Sequence, residues 1–306
     1  MKKYIMMAAA LAVSSMSVLS LHAQTLPSLM INQDPVTLAM GSAGVASGAD
    51  AFALQNNVAA MSFSEEKMSV QAGFGMWQPD YAGMKTIGLG GMYSVSEKLA
   101  VGLDFKYLMM PSYSGVTDNG SAIRDSEFKP SEMNIAAGVS YAFIDCLSAG
   151  VTLRYAGSAL AADAKGSAFG ADLGLYFSKN SIHAGVSVNN LGTKVKYSES
   201  AYAQPMYVKA GAGYDLIMGA SALAFAAEAD ILFAGGIMAG AGCEYSFKDM
   251  VFARAGYHFG NSVNAVPSHA SAGLGLKIAG VTLDFAYVFA SKALSNSMCV
   301  SLGYSF

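Results

Sequence analysis

Beyond its first two dozen residues the chain carries only three histidines, His183, His258 and His269, so proton-transfer chemistry has few bearers. Arg254 and His258 are separated by an even number of residues, which places both on one face of a β-strand, and Glu244 can reach them from a neighbouring strand. Arginine, histidine and glutamate in contact would form an acid/base cluster of the kind a barrel hydrolase needs, with His258 as the proton carrier. The plainer reading is an interior polar network, because a buried charge needs partners whatever the protein does.

Other chemistry is sparse. The chain has no HExxH, no G-x-S-x-G and no GxxxxGK[ST], so the common zinc, serine-nucleophile and phosphate-loop arrangements are missing. Gly273 and Gly275 resemble a fragment of a dinucleotide fingerprint, but they lie within a strand pattern that no helix follows; close packing explains them better. Cys146, Cys243 and Cys299 form an odd set with neither CxxC nor metal-like spacing, which argues against a disulfide framework and a zinc site. The sequence thus predicts no catalytic residues, no metal, no cofactor and a protein that is not an enzyme.

The elements that would hold these residues announce themselves by composition. Hydrophobic residues make up 53% of the chain and charged ones 13%, yet after the N-terminal run no stretch approaches the roughly 20 apolar residues a membrane helix requires. With 33 glycines, 16 tyrosines and 16 phenylalanines against 7 prolines, many short β-strands are expected. A net charge of -3 argues against nucleic acid as a partner.

Period decides the class. Leu99, Val101, Leu103, Phe105 and Tyr107 fall on one face, and Ala100, Gly102, Asp104 and Lys106 on the other. Similar runs recur at 68–76, 84–95, 98–108, 132–143, 147–156, 167–178, 181–190, 205–214, 222–233, 236–247, 250–259, 270–278, 281–290 and 297–306. These are about 14 strands of about ten residues, the length a tilted strand needs to cross a bilayer. Connections alternate between a longer set (77–83, 109–131, 157–166, 191–204, 234–235, 260–269, 291–296) and a shorter one (96–97, 144–146, 179–180, 215–221, 248–249, 279–280), as outer-membrane barrels require. Only the turns near Gly235 and at Asp215–Ser221 break the rule.

A secreted β-sandwich also alternates, but it should put ordinary polar residues outward. Here the second face is mostly Gly, Ala and Ser with isolated charges such as Asp104, Arg154, Asp172, Lys209, Glu228 and Asp284, which suits a confined lumen. Tyrosines and phenylalanines near strand ends, among them Tyr93, Tyr214, Tyr257 and Tyr304, fit interfacial girdles in contact with outer-membrane lipid. The fold class expected is therefore all-β: a transmembrane outer-membrane β-barrel of about 14 antiparallel strands with an N-terminal plug-like segment. The last strand, ending on Phe306, must pair with the first so that no edge is left in the bilayer.

At the other end, Lys2 and Lys3 precede an apolar run to about Leu21 and a small residue at Ala23, the pattern of a secretory signal peptide. The expected organisation is 1–23 signal peptide, 24–67 periplasmic or plug segment, and 68–306 barrel, located in the outer membrane of a Gram-negative cell after cleavage. Within the plug, a helix is expected around Asp50–Met61, with Asp50 as its cap.

The stretch "GSAGVASGADAFALQNNVAAMSF" resembles the N-terminal signature of the PorV/PorQ family, itself similar to FadL-like fourteen-stranded transport barrels. In that signature a glycine-rich turn and an Asp-Ala pair, here Asp50 and Ala51, lead to an Asn-Pro-Ala element; this chain has Asn57, Val58 and Ala59 there. "FKPSEMNIAAGVSYAF", "LRYAGSAL", "AKGSAFGADLGLYFS", "VNNLGTKVKYS", "CEYSFKDMVFARAGYHFG" and "AGLGLKIAGVTLDFAYVF" resemble the PorV branch in order along the chain. The resemblance implies a component of the type IX secretion system of Bacteroidota that binds the C-terminal signal domain of secreted cargo and passes it to the surface-attachment machinery. The cargo-binding surface it implies is the external loop set. In the longest loop, 109–131, Tyr113, Arg124, Asp125 and Phe128 are the candidate contacts. The alternative is a FadL-like transporter of a hydrophobic ligand, which needs an apolar lumen pocket.

Overall fold

Lipid and lumen are sorted residue by residue. The computed structural model describes residues 26–114, 127–162, 164–197, 200–261, 264–290 and 294–306. Its strands are β1 (Met68–Trp77), β2 (Met84–Ser94), β3 (Leu99–Met109), β4 (Ser131–Ile144), β5 (Leu147–Ala159), β6 (Lys165–Lys179), β7 (Ile182–Gly192), β8 (Val195–Tyr197) and β9 (Ser200–Tyr202). They continue as β10 (Tyr207–Met218), β11 (Ser221–Leu232), β12 (Ile237–Phe247), β13 (Val251–Gly260), β14 (His269–Ile278), β15 (Val281–Ala290) and β16 (Met298–Ser305). Along β1 inward residues are buried while Val70 and Phe74 are exposed, and β3 repeats the pattern with Leu103 outward and Asp104 inward. Large apolar side chains face outward over the whole wall, the inverse of a water-soluble core.

Among the described residues fourteen strands close into an antiparallel barrel, all but β8 and β9. β16 pairs with β1 in the register Ser69↔Ser305 to Met76↔Met298, so the sheet has no free edge. Beyond the ladder, Phe306 and Met68 exchange two backbone hydrogen bonds of 3.0 Å. The expected strand runs and their alternation match this wall closely.

Two connections differ from expectation. β10 and β11 run on to Met218 and from Ser221, which shrinks the supposed 215–221 loop to the two-residue turn Gly219–Ala220 and restores the short-turn rule at that end. Cross-strand pairing of Leu216 with Leu223 continues the ladder, and Gly219 supplies the left-handed residue (φ +67°) that the tight reversal needs. Loop 193–206, in contrast, carries the small β8–β9 hairpin, whose Val195 and Tyr197 are buried against Leu26 and Leu29.

Residues 26–67 thread the barrel from the long-loop end to the short-turn end. Ser28 sits beside the long-loop ends of β3 and β4, while the Lys67 carbonyl accepts the Ser94 N–H at the short-turn rim. Helix α1 (Pro35–Ala39) is capped by Asp34, whose carboxylate accepts from the Val36 and Thr37 N–H groups. The expected Asp50–Met61 helix is broken: α2 spans only Ala53–Asn56, and a 3₁₀ turn covers Val58–Phe63. Asp50 is not its cap. Its side chain accepts the Phe52 N–H (2.8 Å) in a local turn, and Asn57, extended at φ -153°, starts the second turn by accepting from Ala59. Among the described residues no helix is long and apolar enough to cross a membrane.

Candidate functional site

The wall is thin on its inner face so that the threaded segment can lie against its backbone. At Gly185 and Gly256 a Cβ would collide with the Val45 carbonyl and with Met40, so glycine is required there by proximity. Polar side chains then fasten what the glycines admit. Glu228 accepts the N–H groups of Gly44 (2.8 Å) and Val45 (2.6 Å), Ser271 donates to the Ala39 carbonyl (3.0 Å), and Asn57 donates to Val45 and, across to β6, Leu175. At the long-loop end Lys106 donates to the carbonyls of Ser28 and Ile31, and Glu132 accepts the Ser28 N–H at 3.0 Å.

The inward charges are paired across strands. Arg154 meets Asp172 at 2.6 Å and Lys209 meets Glu228 at 3.2 Å. Arg254 is held between Glu244 and Asp284, the latter at 2.6 Å. Of the residues that sequence groups as one polar cluster, the structure brings Arg254 and Glu244 together as directly opposed residues of β13 and β12. His258 belongs to another layer: its ring stacks on His269 at 4.9 Å, and its Nδ1 faces the Gly41 carbonyl at 3.3 Å. Asp284, which completes the Arg254 site, comes from β15, two strands away from β13, and its inward alternation was the signal available for it. Among the described residues no group of three or more His, Cys, Asp or Glu is arranged to hold a metal ion.

At the long-loop rim Tyr113 and Phe128 form an isolated antiparallel bridge, with rings 6.1 Å apart, and the Tyr113 hydroxyl donates to the Leu160 carbonyl at 2.6 Å. The two residues thus tie the long loop to itself and to the neighbouring 160–164 connection. Arg124 and Asp125 lie outside the described residues.

Among the described residues two internal spaces stand out. One, of about 70 Å³, lies between the threaded segment and the wall and is lined by Asn32, Gln55, Asp104, Lys106, Lys209 and Asp230 among others. The second, of about 830 Å³, lies at the short-turn end and is bounded by carboxylates such as Asp34, Asp50 and Glu66, by Arg254 and Lys277, and by apolar side chains such as Phe63, Phe225 and Leu276. Burial in the barrel, with the Asp34 carboxylate adding to it, raises the Asp50 carboxyl well above the usual carboxylate range.

Comparison with known proteins gives two results. Residues 19–234 match the family model described as "Type IX secretion system protein PorV". Among solved structures, the fold is shared with the Pseudomonas putida toluene transporter TodX (TM-score 0.66, 12% identity, covering 92% of this chain and 99% of that one). It is shared likewise with the Ralstonia pickettii toluene transporter TbuX (TM-score 0.64, 12% identity, 89% and 98%) and with a Pseudomonas aeruginosa FadL homologue (0.58, 13%, 90% and 99%). No curated protein matches the sequence.

Proposed function

The chain belongs to the PorV family, and on that premise we propose that this outer-membrane barrel handles secreted cargo, binding the C-terminal signal domains of type IX secretion substrates and passing them to the surface-attachment machinery. The protein acts by binding, without catalysis. It reaches the outer membrane of a Bacteroidota cell after loss of residues 1–23, and its partners are cargo, other secretion components and lipid.

The observation that carries this reading is the filled lumen of a family member. Residues 26–67 are sewn to the wall by hydrogen bonds from end to end, and what space remains mixes carboxylates, amides and ammonium groups with apolar side chains, so that no wholly apolar pocket is left among the described residues. A partly charged lining disfavours an apolar solute, which gains nothing from displacing water there. Recognition then falls to the rim, where the bridge between Tyr113 and Phe128 presents the ends of the longest loop in fixed register.

FadL-like transport is the second reading, favoured by the shared fold with proteins described as toluene transporters and monoaromatic hydrocarbon channels. One experiment separates the two. The protein is affinity-purified from its own outer membrane, with and without replacement of residues 112–129 by a short Gly-Ser turn, and both proteins and extracted lipids are identified by mass spectrometry. Cargo handling predicts co-purified signal domains that disappear with the loop. Transport predicts a bound apolar molecule that survives the replacement, with no cargo in either sample.

A further inference from the structure

The lipid-facing wall is not uniform around the barrel. On β13, β14 and β15 the outward residues Tyr257, Ala270 and Phe289 stand in one cross-strand row, each directly opposed to the next in register. Two exposed aromatic side chains thus flank a single methyl group, and a groove runs over β14 between them. Its volume is about 450 Å³, within the range of small-molecule pockets. Two strand spacings put the backbones of Tyr257 and Phe289 about 10 Å apart. A hydrocarbon chain that touches a ring on either side, at about 3.5–4 Å per contact, needs about 7–8 Å between them. The groove therefore fits one chain and not two.

The wall on the β15 side is held in place. Tyr287 packs on Phe289 edge-on, with centroids 4.8 Å apart, and its hydroxyl donates to Asn296 Oδ1 at 2.5 Å. Asn296 donates in turn to Asp80 at 2.5 Å. At the long-loop end the lining turns polar, because Ser268, Ser295 and Asn296 lie beyond the strand ends. Among the described residues no lysine or arginine lines the groove, and the Ser295 hydroxyl makes no hydrogen bond. Aromatic walls along the strands and an uncharged hydroxyl above them match an acyl chain with its ester or amide carbonyl. Small residues alone make no such site. Ala210, Ala229 and Ala239 also form an outward row, on β10, β11 and β12, but both neighbours of Ala229 are alanines, so a chain there would touch the floor alone.

Outer-membrane barrels turn their longer loops outward, so the groove faces the outer leaflet. In Gram-negative outer membranes that leaflet is built of lipopolysaccharide. We propose that the groove between Tyr257 and Phe289 seats one acyl chain of lipid A, with the carbonyl of that chain beside Ser295. The site continues the lipid-facing wall, and it rests on the outward placing of the long loops and not on cargo handling.

The full-length protein is purified from its own outer membrane in mild detergent and washed until its lipid content stops falling. Native mass spectrometry then counts the lipids kept per barrel, and extraction identifies them. Wild type should keep one lipid A. Ala270→Phe, which fills the floor with a ring, should lose it, whereas Ala229→Phe, the same exchange on the flat row, should keep it. Retention of phospholipid alone, retention of no lipid, equal retention in wild type and Ala270→Phe, or equal loss in both phenylalanine variants each overturns the proposal. If Ala270→Phe lacks the heat-modifiable migration of a folded barrel, Tyr257→Ala takes its place by removing one wall, and lipid A kept in that variant overturns the proposal as well. Cargo co-purified from the same cells reports on the loops, so the two readings fail separately.

Discussion

The two faces of the barrel wall obey different rules. Outward positions need only be large and apolar, as Leu103, Leu153, Phe169 and Leu302 are, because lipid offers the same environment at every azimuth. Inward positions have individual partners: Gly185 meets one carbonyl, Glu228 two particular N–H groups, Arg254 two particular carboxylates. An outward residue is therefore replaceable by its class, and an inward residue by almost nothing. The contrast predicts that equal chemical insults should cost more inside than outside.

Removing Arg254 is the severest single test of that contrast. Arg254→Ala leaves Glu244 and Asp284 facing each other without their cation, at an expected cost of about 3–5 kcal/mol in urea unfolding of the refolded barrel. On the lipid side, Leu302→Lys puts a charge on the seam strand beside β1 and should cost about 2–4 kcal/mol at mid-bilayer. If Leu302→Lys proves the worse of the two, the wall is limited by its lipid contact and the contrast between faces fails. A smaller internal loss is expected for Ser271→Ala, about 1–3 kcal/mol for the Gly41 N–H and the Ala39 carbonyl left without their partner. Added proteolytic sensitivity of residues 26–67 in that variant would show that the threaded segment, and not the wall, bears the loss. Asp34→Ala, which uncaps α1 and leaves the wall untouched, should cost about 1 kcal/mol by the same measurement.

How much of this was legible in the sequence follows the same division. The outward face was readable almost entirely, since alternation along Leu99–Tyr107 or Val281–Phe289 is a local property and bilayer thickness fixes the strand length. The pairing of Glu244 with Arg254 was also within reach, because adjacent strands joined by a short turn have their register set by that turn. Asp284 was not, because its arrival at Arg254 depends on a side chain reaching across two strand spacings. His258 separates from Arg254 for a related reason: four residues along an extended strand span roughly 13 Å, so a shared face does not imply contact. The threaded segment was least legible. Its helices are four and five residues long, too short for periodicity to register, and they are held by tertiary hydrogen bonds from the wall. The β8–β9 hairpin, three residues a side, escaped for want of length as well.

The smallest predicted effect has the opposite sign and sharpens the comparison from within the lumen. Asp50 borders the cavity at the short-turn end, and burial together with Asp34 raises its carboxyl above the value it has in an unfolded chain. A raised folded-state pKa means that the native barrel holds this proton more tightly, so its contribution to stability is complete below the unfolded carboxylate range and is lost as pH rises through the folded value. Asp50→Asn should then stabilise the protein slightly at neutral pH, with the gain vanishing in acid, because the amide oxygen still accepts the Phe52 N–H and the repulsion from Asp34 is gone. The Asp50 side chain is only half-buried, which keeps the gain modest. Tm measured from pH 3 to 8 for wild type and variant tests this directly. A variant less stable than wild type at neutral pH would mean that the Asp50 charge itself is wanted in the lumen, and that even this loosely held position is as specific as Arg254.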